Sequence, residues 1–127
     1  MSEEFNMLKA LQEKYPTLFE IYARCQGHWI SVAKGWYDLI DRCCAEVLAN
    51  DPTAQVVQIK EKFGGLRFYL NTNEQTRASL DIISKYESES METCEICGKP
   101  GKTRNYTKYY VRTVCDDCQK ERDEKKD

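Results

Sequence analysis

The sequence predicts an α+β fold on three observations: a helical apolar period between Trp29 and Ala49, two β-prone runs flanking Gly64-Gly65, and two Cys-x-x-Cys pairs near the C-terminus. Residues 1–92 read as a small helical core carrying a β-hairpin, and residues 93–127 as a cysteine-bearing ribbon with a charged tail. A chain of 127 residues suits one modest core with a small appended module. Hydrophobic residues at 41% and charged residues at 31% exclude a disordered chain.

In the first segment, Leu8, Leu11, Tyr15, Leu18 and Ile21 recur every three to four residues, interrupted by Pro16. Proline disfavours helical geometry at the residue before it, so the segment reads as two short helices with a break, Pro16 or Thr17 opening the second. From Trp29 to Ala49 the apolar stripe Trp29, Val32, Ala33, Trp36, Leu39, Ile40, Cys43, Cys44, Val47 and Leu48 marks the main core helix. Gly35 interrupts the stripe at a cost in helix stability, which leaves two starts open, at Trp29 or after Gly35, and Asn50-Asp51-Pro52 ends the helix in turn chemistry.

Val57, Ile59 and Phe63 precede Gly64-Gly65, and Leu66, Phe68 and Leu70 follow it. Glycine accepts the positive φ of tight hairpin turns, so the two glycines read as the turn of a β-hairpin, with Lys60, Lys62 and Arg67 near its tip. Thr72 and Gln75 have capping-box spacing ahead of a helix over residues 74–89, expected to bury Leu80, Ile83 and further Ile82 and Tyr86. The tail from Lys120 to Asp127 is highly charged and is expected to fray.

The chemistry-bearing pattern is Cys94-Glu-Ile-Cys97 with Cys115-Asp-Asp-Cys118, the pairs separated by 17 residues. That spacing fits zinc, because a Cys-x-x-Cys turn sets two thiolates on one side of a tight bend and two such turns complete a tetrahedron. Four cysteine ligands close the coordination shell, so one Zn2+ of structural type is expected, with Tyr106–Val114 as the strand delivering the second pair. A redox dithiol would need a thioredoxin-like βαβ context, which the sequence lacks. Cys25, His28, Cys43 and Cys44 form a second candidate group, but Cys43 and Cys44 continue the apolar stripe and read as packing.

No apolar run approaches the roughly 20 residues of a membrane span, and the N-terminus is acidic, so a cytoplasmic protein without a membrane partner is expected. Net charge is -2, with eight acidic and five basic side chains in residues 1–55, whereas residues 98–114 hold Lys99, Lys102, Arg104, Lys108 and Arg112 and no acid. Those five, with Lys60, Lys62 and Arg67, are the candidate binding surface. The competing reading is that part of this charge balances the doubly negative zinc–thiolate centre or pairs internally.

At Lys60-Glu-Lys-Phe-Gly-Gly-Leu-Arg-Phe-Tyr69, Thr93-Cys-Glu-Ile-Cys-Gly-Lys-Pro-Gly101, Arg112-Thr-Val-Cys-Asp-Asp-Cys118 and the Gly35–Ile40 helix opening, the chain resembles a family of small phage, prophage and bacterial proteins of uncharacterised activity. Ala33-Lys34 stands where such relatives are expected to carry a small acidic turn. The resemblance implies a zinc-binding protein of phage or bacterial origin, and by analogy a modulator of a host factor or defence system acting in the host cytoplasm.

Catalysis is not expected: the sequence shows no nucleophile–base pair, phosphate-binding glycine loop or open metal position. Glu61 amid Lys60, Lys62 and Arg67 lacks the further carboxylates of a metal-dependent nuclease. A non-catalytic interaction protein remains, with a protein partner ranked ahead of nucleic acid. The acidic balance favours the former, and the interleaving of the ribbon's cations with Tyr106, Tyr109 and Tyr110 favours the latter.

Overall fold

The computed structural model describes residues 7–24, 32–71 and 76–124. Helix α1 (Met7–Lys14) and helix α2 (Glu20–Arg24) are separated by a turn over residues 16–19, so the second helix opens at Glu20 rather than at Pro16 or Thr17, and Leu11, Leu18, Phe19 and Tyr22 along this segment are buried. A single 3-10 turn, Lys34–Trp36, leads into α3 (Tyr37–Asn50), so the helix does start after Gly35. Leu39, Ile40, Cys43, Cys44 and Val47 form its buried stripe, while Asp38 and Arg42 face out. Past its C-terminus the Asp51 Oδ1 accepts the Thr53 N–H at 2.9 Å and the Thr53 hydroxyl at 2.6 Å, the side-chain-to-backbone bond through which Asp favours turns.

Strands β1 (Val56–Lys62) and β2 (Gly65–Leu70) pair antiparallel, with Lys62 opposite Gly65, Lys60 opposite Arg67 and Ile59 opposite Phe68. The turn therefore falls one residue earlier than the two glycines suggested. Its central residues are Phe63 and Gly64, both at positive φ (53° and 83°), and Gly65 belongs to the strand. Gly64 donates its N–H to Glu61 Oε2 at 2.7 Å, which closes the turn. Gly65 is glycine for a different reason: a Cβ there would lie 2.7 Å from the Met91 sulfur.

Helix α4 (Thr76–Ser90) packs on α3 and on β2. Ser79, Ile83, Tyr86 and Ser90 are buried, at the spacing of one helix stripe. Leu80, expected in the core, is 51% exposed because it lies beside that stripe. Serine at both ends of the stripe lets α4 approach closely and bond its neighbours: Asn50 Nδ2 donates to Ser79 Oγ at 3.1 Å, and Leu66 N–H donates to Ser90 Oγ at 2.9 Å. Together with the Phe68 N–H on Glu87 Oε2 at 3.1 Å, this satisfies the outer edge of β2. The proposed Thr72–Gln75 cap lies outside the described residues.

The C-terminal region consists of β3 (Lys102–Thr107) and β4 (Tyr110–Val114), paired antiparallel, then α5 (Asp116–Glu124). The segment expected as one strand, Tyr106–Val114, is split between the two by a turn at Lys108-Tyr109. Residues 120–124 are helical rather than frayed. The Tyr106 hydroxyl donates to Gln119 Oε1 at 2.5 Å, and the Arg122 guanidinium lies 4.2 Å from the Tyr106 ring and 5.1 Å from the Tyr110 ring, which ties the helix to the ribbon. Among the described residues no helix is long and apolar enough to cross a membrane.

Candidate metal centre

Two local structures deliver the four cysteines. In the first, Cys94 N–H bonds the Lys99 carbonyl at 2.7 Å and Gly98 N–H bonds the Cys94 carbonyl at 2.9 Å, with Gly98 at φ 84°, so the chain folds back tightly around Cys97. In the second, Cys115 follows the last residue of β4 and Cys118 occupies the first turn of α5, where its N–H points at Cys115 Sγ at 3.4 Å. The sulfurs of Cys94, Cys97, Cys115 and Cys118 lie within 4.8 Å of one another, with Cys97 and Cys115 at 3.5 Å. A tetrahedral ion with sulfur at about 2.3 Å needs sulfurs about 3.8 Å apart, so the set matches a metal site. Cys94 and Cys115 are buried, and Cys97 is exposed.

Burial opposes ionisation of Cys94, but the backbone N–H groups of Cys97, Cys115 and Ile96 outweigh it and bring this thiol down to about 7. Cys118 is pushed well up by burial and by its three sulfur neighbours. The two shifts run in opposite directions, and a cation bound among the sulfurs would favour the thiolate form.

Glu95, a spacer within Cys-x-x-Cys when read from sequence, is what fixes this centre to the core. Its carboxylate is buried and accepts from Arg112, through Nε at 2.9 Å and through Nη2, and from the Ala33 N–H at 3.0 Å. Its carbonyl accepts the Gly35 N–H at 2.7 Å, and its own N–H donates to the Thr113 carbonyl at 3.0 Å. Beside it the Trp36 indole N–H donates to the Thr93 carbonyl at 2.9 Å, and the Thr113 hydroxyl donates to the Gly64 carbonyl at 2.7 Å. The cysteine turn therefore rests on the start of α3, and β4 on the hairpin tip.

The candidate basic surface divides. Arg112 is bound to Glu95, Arg104 reaches Asp116 at 2.7 Å, and Lys99 lies 3.7 Å from Asp117. Arg104 and Arg112 sit directly opposite each other in the ribbon, a like-charge pairing that disfavours the sheet unless each has its own acid. The acids lie just outside the window 98–114, which is why that stretch looked unopposed. Lys102 and Lys108 form no ion pair among the described residues, and neither do Lys60, Lys62 and Arg67 on the hairpin; Lys108 lies over Tyr109, 5.6 Å from the ring centroid.

Cys43 and Cys44 are fully buried in α3, where burial pushes Cys43 up to about 12 and Cys44 well above the ordinary thiol range. Both are packing residues there. Cys25 and His28 lie outside the described residues. Compared with known families, curated proteins and solved structures, the chain matches none of them.

Proposed function

We propose that Cys94, Cys97, Cys115 and Cys118 hold one structural zinc ion and that the chain is a non-catalytic binding module built around it. The observation carrying this reading is the mutual approach of four cysteine sulfurs within 4.8 Å. An all-sulfur set favours zinc and fills every tetrahedral position, leaving none for a reacting water. The nearest buried carboxylate, Glu95, is neutralised by Arg112 and bound to backbone, which suits it to holding structure rather than to proton transfer. Glu61, the acid of the weaker nuclease reading, bonds the Gly64 N–H and alternates to the opposite strand face from Lys60 and Lys62. The resemblance to phage and prophage proteins supports a module acting on a host component.

Elemental analysis of the purified protein is expected to give one zinc per chain. Cys94→Ser or Cys118→Ser should lose the metal and the hydrogen-exchange protection of residues 93–118, while Cys43→Ala should keep both. Metal-free, folded protein with four freely titratable ribbon thiols would overturn the reading.

A further inference from the structure

We infer that the outward face of the β1–β2 hairpin binds single-stranded nucleic acid, a proposal that names the partner of the binding module above and rests on that reading. The register puts Gln58, Lys60 and Lys62 on one face with Tyr69, Arg67 and Gly65 opposite them, while Ile59, Leu66 and Phe68 point to the core. The outward face therefore carries three cations, none paired with an acid among the described residues, on a chain whose net charge is -2. The ribbon, the more obvious basic segment in sequence, has its arginines neutralised by Asp116 and Glu95 and its Tyr106 and Tyr110 rings under Arg122.

Two aromatic rings bracket these cations. Tyr69 is 42% exposed, with Lys60 Nζ 5.8 Å from its ring centroid, and Phe63 at the tip is 55% exposed, with Lys62 Nζ at 5.7 Å. Stacking surface and phosphate-neutralising charge thus lie side by side, the combination that binds unstacked bases with little sequence preference. A duplex keeps its base faces covered and would not use the rings. From Gln58 to Lys62 the face runs about 14 Å, enough for the two or three bases that a sheet of this kind stacks.

Phe63 supplies the independent observation. A bulky residue at φ 53° is strained, and this one leaves most of its ring in water rather than in the core. The turn geometry, positive φ at both central residues, is the one Asn-Gly adopts without strain. Between the tip and α4 a groove of about 380 Å³ is lined by Lys62, Phe63, Arg67 and Met91. Its acid, Glu87, is bonded to the Phe68 N–H. An aromatic ring held out by a strained backbone beside a groove that carries Lys62 and Arg67 fits a residue kept for contact with a ligand.

The test uses the full zinc-loaded chain and a short fluorescein-labelled oligo(dT), read by anisotropy. Three phosphate contacts predict that affinity falls about 20-fold between about 50 and about 200 mM salt. Lys60→Gln with Lys62→Gln and Arg67→Gln should abolish most of that salt dependence. Phe63→Asn should weaken binding about tenfold while leaving the melting temperature unchanged or higher, an outcome that a merely structural Phe63 would not give. Tyr69→Ala should weaken it comparably, and Lys108→Gln on the ribbon should not. No oligonucleotide binding at low salt by folded protein with one zinc per chain would overturn this inference and leave the zinc reading standing. Undiminished binding by Phe63→Asn, or equal affinity for a Glu-rich peptide of the same charge, would also overturn it by showing a face that reads charge alone.

Discussion

A Cβ on Gly35 would sit 2.3 Å from the Glu95 carbonyl oxygen and 2.4 Å from that of Cys94. Both are backbone atoms in the tight cysteine turn, and the Gly35 N–H already bonds the first of them, so no side-chain rotation relieves the clash. Gly35→Ala is expected to cost about 3 kcal/mol, the upper end for overpacking, measured by denaturant titration of zinc-loaded protein. An unchanged midpoint would mean that the turn and α3 do not meet this way. In the sequence the glycine carries only a propensity cost, because the contact that demands it comes from the distant Cys94 and Glu95. A second residue-scale expectation concerns Asp41, which accepts from Lys14 at 2.8 Å and from the Tyr15 hydroxyl at 2.5 Å. Burial alone would raise its carboxyl, but these two partners outweigh burial and hold it below the ordinary aspartate range. The folded-state value is the lower one, so the stabilisation is present above the unfolded value near about 4 and is lost as pH falls through the folded value. Asp41→Asn should therefore destabilise by about 1–2 kcal/mol at neutral pH and converge with the parent in acid, in parallel pH–stability curves.

Among the elements, those with a strong period were legible: α3, the two strands of the first hairpin and the α1–α2 break at Pro16 all follow from spacing and from proline. Placing the turn at Phe63-Gly64 was not legible, since Gly-Gly is the better turn dipeptide locally and only the Met91 contact explains why Gly65 is in the strand. Leu80 failed for a related reason: hydrophobicity ranked it above Ser79, whereas the close approach of α4 to α3 selects the smaller residue for the buried stripe. Helix α5 was hidden by its own composition, as Asp116–Glu124 buries no residue fully and gains its order from Tyr106 and Tyr110. Arg122→Ala removes that anchor. Hydrogen exchange of residues 119–124 should speed up several-fold, matching a loss of about 0.5–1 kcal/mol, while zinc content stays at one per chain. Unaltered exchange there would show that the Tyr106–Gln119 bond and the cysteine cluster hold α5 without Arg122.

At the scale of the molecule, the cluster of Cys94, Cys97, Cys115 and Cys118 was readable because metal chemistry favours their spacing, but the way the ribbon joins the core was not. It runs through Glu95–Ala33, Glu95–Gly35, Trp36–Thr93 and Thr113–Gly64, contacts that no local pattern encodes. These contacts make a prediction about how far the loss of metal travels. Zinc-site binding energy in small domains is about 10 kcal/mol and is largely folding energy, so chelation should unfold residues 93–118. Thr113 would then release the Gly64 carbonyl, and Glu95 would release the N–H groups of Ala33 and Gly35. Chelated protein should accordingly lose exchange protection at the hairpin tip, residues 61–66, and at the start of α3, while β1 near Val56, bonded to the Leu18 carbonyl at 3.0 Å, and the buried middle of α3 keep theirs. Protection lost in the ribbon alone would mean that the two regions fold independently. Loss throughout, with one melting transition that moves as a whole, would mean that the metal is required for the entire core. The intermediate pattern is the expected one, because Leu11, Leu39, Ile40, Val47, Ile59 and Phe68 belong to a buried cluster separate from that of Cys94, Val114 and Cys115 and containing none of the four clustered cysteines.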